Sequence, residues 1–281
     1  MSKLQVFKVK DWVVLGKNRF KPPFKVTDKL INEARVIHVI QGKSNLYAAN
    51  QFISLNSGNT LIMKSDNFIN SWLANESGQL NEVIVFQLTS DLLKHIYQNQ
   101  LPNWFIENPS KQVAPIQKQA DSVLLTEYFQ NLRLYFDTPS LISEELVELK
   151  VKELLHLLAN SDLSGNNKNI LGTLFHANEY KFQEVIQAHL FDDLNLEDLA
   201  FLTGLSLSSF KRKFSSIYGT TPNKYFASKR LEKAQLLLRT ATLRISEIAY
   251  ECGYSDVGYF TKVFQRQFGT SPSKFREKLL S

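Results

Sequence analysis

The chain holds a single cysteine, Cys252, in 281 residues. No intrachain disulfide can form, so the fold must stand on packing alone, and a reducing compartment is expected. Long apolar runs are missing too: nothing approaches the stretch of about 18 apolar residues that spans a bilayer. The opening segment MSKLQVFKVKDWVVLG lacks the apolar core of a secretory signal. A cytoplasmic protein with no membrane partner is therefore expected. Histidine is scarce where metal chemistry would need it. Of His38, His95, His156, His176 and His189, only His38 falls in the strand-rich region, so a clustered His/Glu metal site is not expected there. There is no glycine-rich phosphate loop and no G-x-S-x-G elbow. These absences argue against an enzyme and against a bound cofactor.

What is present is ordinary in bulk and uneven in detail. At 43% hydrophobic and 21% charged residues, the chain has the composition of a globular protein. Charge is segregated. From Leu196 onward there are 14 Lys+Arg against 7 Asp+Glu, a net +7, which leaves the preceding residues at −1 of the total +6. A basic tail on a neutral body points to a polyanion met by the last third only, although a solvated charged face would give the same count.

Residues 1–89 read as short strands. β-branched and aromatic runs are separated by Gln41-Gly42, Asn56-Ser57-Gly58 and Lys64-Ser65-Asp66, and NEVIVFQLT over 81–89 is another strand. Such spacing suggests a small sandwich or barrel. From Ser90 to 175 the pattern turns helical, with Ser90 as an expected cap and SGNNKN (164–169) as an expected turn. The helix ISEELVELKVKELLHLLANSD carries Leu146, Leu149, Leu154, Leu157 and Leu158 with Val147, Val151 and Leu155, more than one apolar stripe. A helix apolar on two sides must bury both, one on the β-region and the other on a second protomer or in an internal core. The segment NFINSW with Trp72, and Lys17, Arg19 and Lys21, either line a ligand pocket or are core aromatics beside a solvated edge.

The last hundred residues hold one device twice. LEDLAFLTGLSLSSFKRKFSSIYGTTPNKY and ISEIAYECGYSDVGYFTKVFQRQFGTSPSKF superpose with an offset of 49 up to Ser206/Ser255 and of 50 from Phe214/Phe264 onward. Ile245, Ile248, Ala249 and Cys252 share one face of a short helix. Gly253 closes it, Ser255 or Asp256 caps the next helix, and Gly269 ends that one. Ser271 caps a third helix, with Pro272 at its first turn. Helix, glycine turn and capped helix make a helix-turn-helix, over 196–219 and again over 245–269. A solenoid would need about three or more such units. Once Phe210 and Phe214 are buried, the second helix of the first copy exposes Ser208, Ser209, Lys211 and Arg212. The second copy exposes Val257, Gly258, Thr261, Lys262, Gln265 and Arg266. Lys and Arg can address guanine or phosphate, Val and the Thr methyl a thymine methyl, and Gly permits close approach. PNKYFASKRLEKAQLLLRT, between them, is a helical spacer with Leu231, Ala234, Leu237 and Leu238 on one side.

At these residues the chain resembles the AraC/XylS family of bacterial transcription regulators. The matching pattern is LA…GLS…FKRKF…YGTTP, then KR…A..LL, then ISEIAYECGYSDVGYFTKVFQRQFGTSPSKFR, across about 100 residues from Asn178 to Ser281. The resemblance implies an α+β protein: an N-terminal cupin-like barrel or sandwich with helices (1–175), then an all-α domain (178–281) of two helix-turn-helix units joined by a linker helix. It places base-facing positions on Ser208, Ser209, Lys211 and Arg212, and on Val257, Gly258, Thr261 and Lys262, where Val257 and Gly258 depart from the polar residues of many members. VKELLHLLANSD resembles the helix preceding the final linker in type III secretion activators. The implied partners are double-stranded promoter DNA, RNA polymerase, a second copy of the chain, and a small-molecule or protein effector of the N-terminal domain. Some relatives carry cysteine-based alkyl-transfer repair domains, but Cys252 stands at a core position and is expected to be structural. A sequence-neutral architectural DNA binder and a cupin-type enzyme are the competing readings.

Overall fold

The computed structural model describes residues 3–74, 78–105, 113–120, 122–161, 166–174, 180–240 and 242–280. The chain divides into two compact units, Met1–Glu179 and Tyr180–Ser281. The expected border between 175 and 178, and His176 beside it, lie outside the described residues.

The first unit begins with nine strands: β1 (Lys3–Val9), β2 (Trp12–Phe20), β3 (Phe24–Lys29), β4 (Glu33–Gln41), β5 (Lys43–Ala48), β6 (Gln51–Asn56), β7 (Thr60–Met63), β8 (Asn67–Trp72) and β9 (Asn81–Thr89). Helix α1 (Ser90–Ile96), a short β10 (Ile116–Lys118), α2 (Val123–Asp137), α3 (Glu144–Asn160) and α4 (Asn166–Gly172) follow. A six-stranded sheet in the order β1-β2-β9-β4-β7-β10 faces a four-stranded one in the order β3-β8-β5-β6, with every pairing antiparallel. Because side chains alternate along a strand, the larger sheet feeds two cores. Ile37, Leu61, Met63 and Val83 pack between the sheets. Val36, Ile62, Ile84, Phe86 and Leu88 pack under the helices. Strand β9 is packed on both faces, and its middle, VIVF, is apolar throughout.

Several expectations are corrected here. The cap of α1 is Thr89, whose Oγ1 accepts the Leu92 N–H at 3.2 Å, and not Ser90. Strand β10 completes the larger sheet from a region read as helical. The turn expected over 164–169 is the start of α4; residues 164 and 165 lie outside the described residues. Asn167 explains this: its buried amide donates to Leu158 O at 2.8 Å and to Gln119 Oε1 at 2.6 Å. Tertiary partners thus override a local turn preference. On α3, Val147, Val151, Leu154, Leu155, Leu158 and Ala159 are buried in the unit's own core, whereas Leu149 on its outer side is 58% exposed. Trp72 is a core residue, Lys17 pairs with Asp137 at 3.3 Å, and Arg19 pairs with Glu82 at 3.0 Å.

The second unit is all helix: α5 (Phe182–Ala188), α6 (Leu196–Leu202), α7 (Leu207–Tyr218), α8 (Pro222–Thr240), α9 (Ile245–Glu251), α10 (Val257–Phe268) and α11 (Pro272–Leu280). It has two cores. Phe182, Ile186, Leu190, Leu199, Ala200, Phe210, Phe214 and Phe226 form one. Leu231, Ala234, Leu238, Ile248, Ala249, Cys252, Tyr254, Phe260, Val263 and Phe264 form the other. Helix α8 therefore gives its first half to one core and its second half to the other. Each fully buried Phe contributes about 1.5–3 kcal/mol, so both small cores are dominated by their phenylalanines.

Candidate nucleic-acid interface

Both turns close the same way. Gly204 N–H donates to Phe201 O at 2.9 Å and Leu205 N–H to Ala200 O at 2.9 Å; Gly253 N–H donates to Tyr250 O at 2.9 Å and Tyr254 N–H to Ala249 O at 3.0 Å. Gly204 and Gly253 are left-handed at φ 68° and 78°, the backbone that swings the chain from the first helix into the second. Ser206 Oγ then accepts the Ser209 N–H and caps α7, while Asp256, rather than Ser255, caps α10 through the Tyr259 N–H.

Anchoring is also paired. Phe210 and Phe214 hold α7 down, and Phe260 and Phe264 hold α10 down, all four with no exposed surface. The opposite faces are left to solvent. Ser208, Lys211 and Arg212 on α7, and Gly258, Lys262, Gln265 and Arg266 on α10, are exposed. Among the described residues, Lys211, Arg212 and Lys262 have no ion-pair partner, so their charges are available to an outside anion. Lys213 is turned over the Phe182 ring at 5.2 Å instead.

Three positions expected on this surface are less available. Ser209 is half buried and its hydroxyl bonds the capping Ser206 at 3.0 Å. Thr261 spends its hydroxyl on Val257 O at 2.8 Å, inside its own helix. Val257 is half buried against the second core, where Leu207 sits in the first. Sequence spacing allows either Tyr259 or Phe260 at the core position of α10, and Phe260 takes it. Tyr259 is 61% exposed. The offset of 50 makes it the counterpart of Ser209, and that offset was the signal that could have found it. Tyr259, Arg266, Glu197 and Arg230 line a cleft between the two helix-turn-helix units, within the helical domain.

Cys252 is fully buried, and burial pushes its thiol up to about 11, so it stays protonated and unreactive. No group of three or more His, Cys, Asp or Glu residues able to hold a metal ion occurs among the described residues. Among these residues, no helix is long and apolar enough to cross a membrane.

Two glycine-closed, capped helix pairs with cationic outer faces define a helix-turn-helix DNA-binding protein, here with a β-rich domain ahead of it. Residues 199–278 match the family described as "Helix-turn-helix domain", and residues 34–170 match the "ExsA N-terminal regulatory domain". The chain belongs to the AraC/XylS family and is a DNA-binding transcription regulator with an N-terminal regulatory domain. Among its relatives is the thermoregulatory protein LcrF of Yersinia pestis, 26% identical over 98% of this chain and 97% of that one. The HTH-type transcriptional regulator ExsA of Pseudomonas aeruginosa is 33% identical over 46% of each chain, less than half its length. ToxT of Vibrio cholerae, a solved structure, is 15% identical over 95% of this chain and 100% of that one at a TM-score of 0.38, a likeness too low to carry functional weight.

Proposed function

We propose that the two helix-turn-helix units read two successive major-groove segments of one promoter duplex, with α7 and α10 as the reading helices. What supports this is the pairing itself: two equally anchored helices with cationic faces, hung on the two halves of one linker helix. Nineteen residues of α8 span about 28 Å, close to the spacing of about 34 Å between successive groove faces. Lys211, Arg212, Lys262 and Gln265 carry direct readout, and Ser208 and Gly258 allow close approach at the helix starts. Tyr259 and Arg266 act at the flank between the heads.

The protein acts as an activator, as the name of the VirF relatives of Yersinia enterocolitica suggests; it works in the cytoplasm, and its further partner is RNA polymerase. It forms a homodimer through the outer side of α3. There Leu149 is 58% exposed, while Leu146 and Leu157 are half buried and Leu154 and Leu158 belong to the interior. A small-molecule or protein effector acts through the N-terminal regulatory domain. The test is titration of the full chain with a duplex selected from random sequence, against a scrambled duplex of equal length. Specific binding should win by about 10³ or more. A ratio near one would make the protein a sequence-neutral architectural binder. Leu149→Lys should give monomers in sedimentation, and an intact dimer would remove α3 from the interface.

A further inference from the structure

Each reading head has its own core on its own half of α8, so neither core fixes how one head sits against the other. That is decided where the heads meet, and one side chain dominates the meeting point. Arg230, half buried on α8, sends all three of its guanidinium nitrogens to main-chain carbonyls. Nε donates to Leu190 O at 3.3 Å, Nη2 to Asp192 O at 2.8 Å and Nη1 to Gly253 O at 2.8 Å. Leu190 belongs to the first core, and Asp192 lies in the segment leading into α6. Gly253 is the turn of the second head. A planar, always-charged fork holds several carbonyls at fixed angles, which a lysine cannot do from one nitrogen.

Two further contacts converge on the same joint. The Phe191 carbonyl presses on Gly253 so closely that a Cβ there would lie 2.5 Å from its oxygen. Lys233 lies 4.1 Å over the Phe191 ring and donates to the Glu251 carbonyl. The first head has no such abutment, since a Cβ on Gly204 would meet nothing within 4 Å.

We propose that Arg230 is a positioning residue that locks the two heads at one separation and angle, so that the protein accepts one spacing between its two half-sites. This rests on the two-groove reading above. Arg230 would then touch no base and yet set specificity, because a misplaced second head loses all its base contacts together.

The experiment uses the full chain and a duplex selected from random sequence, in which the two half-sites are mapped by protection. One base pair is then inserted between them, moving the second half-site by about 3.4 Å and about 35° around the helix. Wild type should lose about tenfold or more in affinity, the cost of at least one mismatched pair. Arg230→Gln should bind the parent duplex less tightly but tolerate the insertion, the ratio between the two duplexes falling to within about threefold. Arg230→Lys keeps the charge and should match Arg230→Gln in spacing tolerance. If Lys instead restores wild-type behaviour, the residue serves as a charge near phosphate and the clip is overturned. A wild-type ratio in Arg230→Gln also overturns it, since α8 alone would then set the spacing. Should wild type itself ignore the insertion, the two-head reading falls first. Thermal melting verifies the fold of each variant. If Arg230→Gln fails to fold, Lys233→Met loosens the same joint and is judged by the same ratio.

Discussion

The two helix-turn-helix copies are nearly identical inside and different outside. Leu199, Ala200, Phe210 and Phe214 in the first correspond to Ile248, Ala249, Phe260 and Phe264 in the second, and both sets are buried to the same degree. The outer faces share little: Lys211 stands opposite Thr261, Ser208 opposite Gly258, and Ser209 opposite Tyr259. Interior identity follows from geometry, because only small residues at 200 and 249 let the second helix cross closely, and large rings must fill the rest. Outer divergence is what two heads facing different base sequences require. The sharpest way to break this comparison is to truncate a matching ring in each copy. Phe214→Ala and Phe264→Ala should each cost about 3–5 kcal/mol, nearly equally, in urea unfolding of the full chain. A twofold disparity would mean that the copies are not equivalent cores.

The turns are the exception to interior identity. Gly204 and Gly253 are both left-handed, so alanine at either strains the backbone by about 1–2 kcal/mol. Only Gly253 also has the Phe191 carbonyl against it. Gly253→Ala should therefore cost about 1–3 kcal/mol more than Gly204→Ala, through overpacking. Equal losses by denaturation would show that the two heads do not abut in solution.

The β-rich unit has a buried acid-sensitive group of its own. His38 stacks on Phe129 with ring centres 4.2 Å apart, and its Nδ1 lies 2.9 Å from Thr60 Oγ1. Burial, with the Arg133 charge second, lowers its pKa from 6.5 to about 4. The unfolded chain thus binds the extra proton first as pH falls, and stability is lost between 6.5 and about 4, by up to about 3 kcal/mol at the low end. His38→Gln should flatten that part of the pH profile for the N-terminal transition and leave the helical unit's transition unchanged. An unaltered slope would place the acid sensitivity elsewhere.

Legibility follows the same division. The helix-turn-helix units were readable because their signals are local: glycine at a helix end, a cap two or three residues later, and rings at helical spacing. The β-rich half was readable in its strands, but its sheet order was not, since pairing β9 between β2 and β4 depends on residues tens of positions apart. Asn167 shows the limit well. It is a turn former by type, yet it starts a helix because Gln119 and the Leu158 carbonyl claim its amide. The double apolar face of α3 was visible, but what covers it was not. Leu154 and Leu158 look no different in sequence from Leu149, and only the packing of neighbouring elements separates them. On the reading surface, residue type identified the cations correctly as exposed. It could not reveal that Thr261 donates its hydroxyl to the Val257 carbonyl, or that Ser209 accepts from Ser206.

The outer faces supply the next contrast. Lys211→Ala and Arg212→Ala should each weaken binding to the selected duplex by about 1–3 kcal/mol if they touch bases, and relax preference at one position. A phosphate contact would instead weaken all sequences alike and lower the salt slope by about one. Lys262→Ala separates these two roles for the second head. Unchanged affinity and preference in all three variants would remove both helices from the groove.

The smallest effect is expected at Thr261, and its smallness is informative. Its hydroxyl already donates to the Val257 carbonyl at 2.8 Å, so it has no proton to offer a base. Its methyl survives in valine. Thr261→Val should then change DNA affinity by no more than about 0.5 kcal/mol, as at an uninvolved surface position. A loss above 1 kcal/mol at Thr261, with sequence preference altered at one base, would mean that the hydroxyl leaves its carbonyl on binding. Position 261 would then read by hydrogen bond, and the contrast between the copies would shrink to the residues at the helix starts.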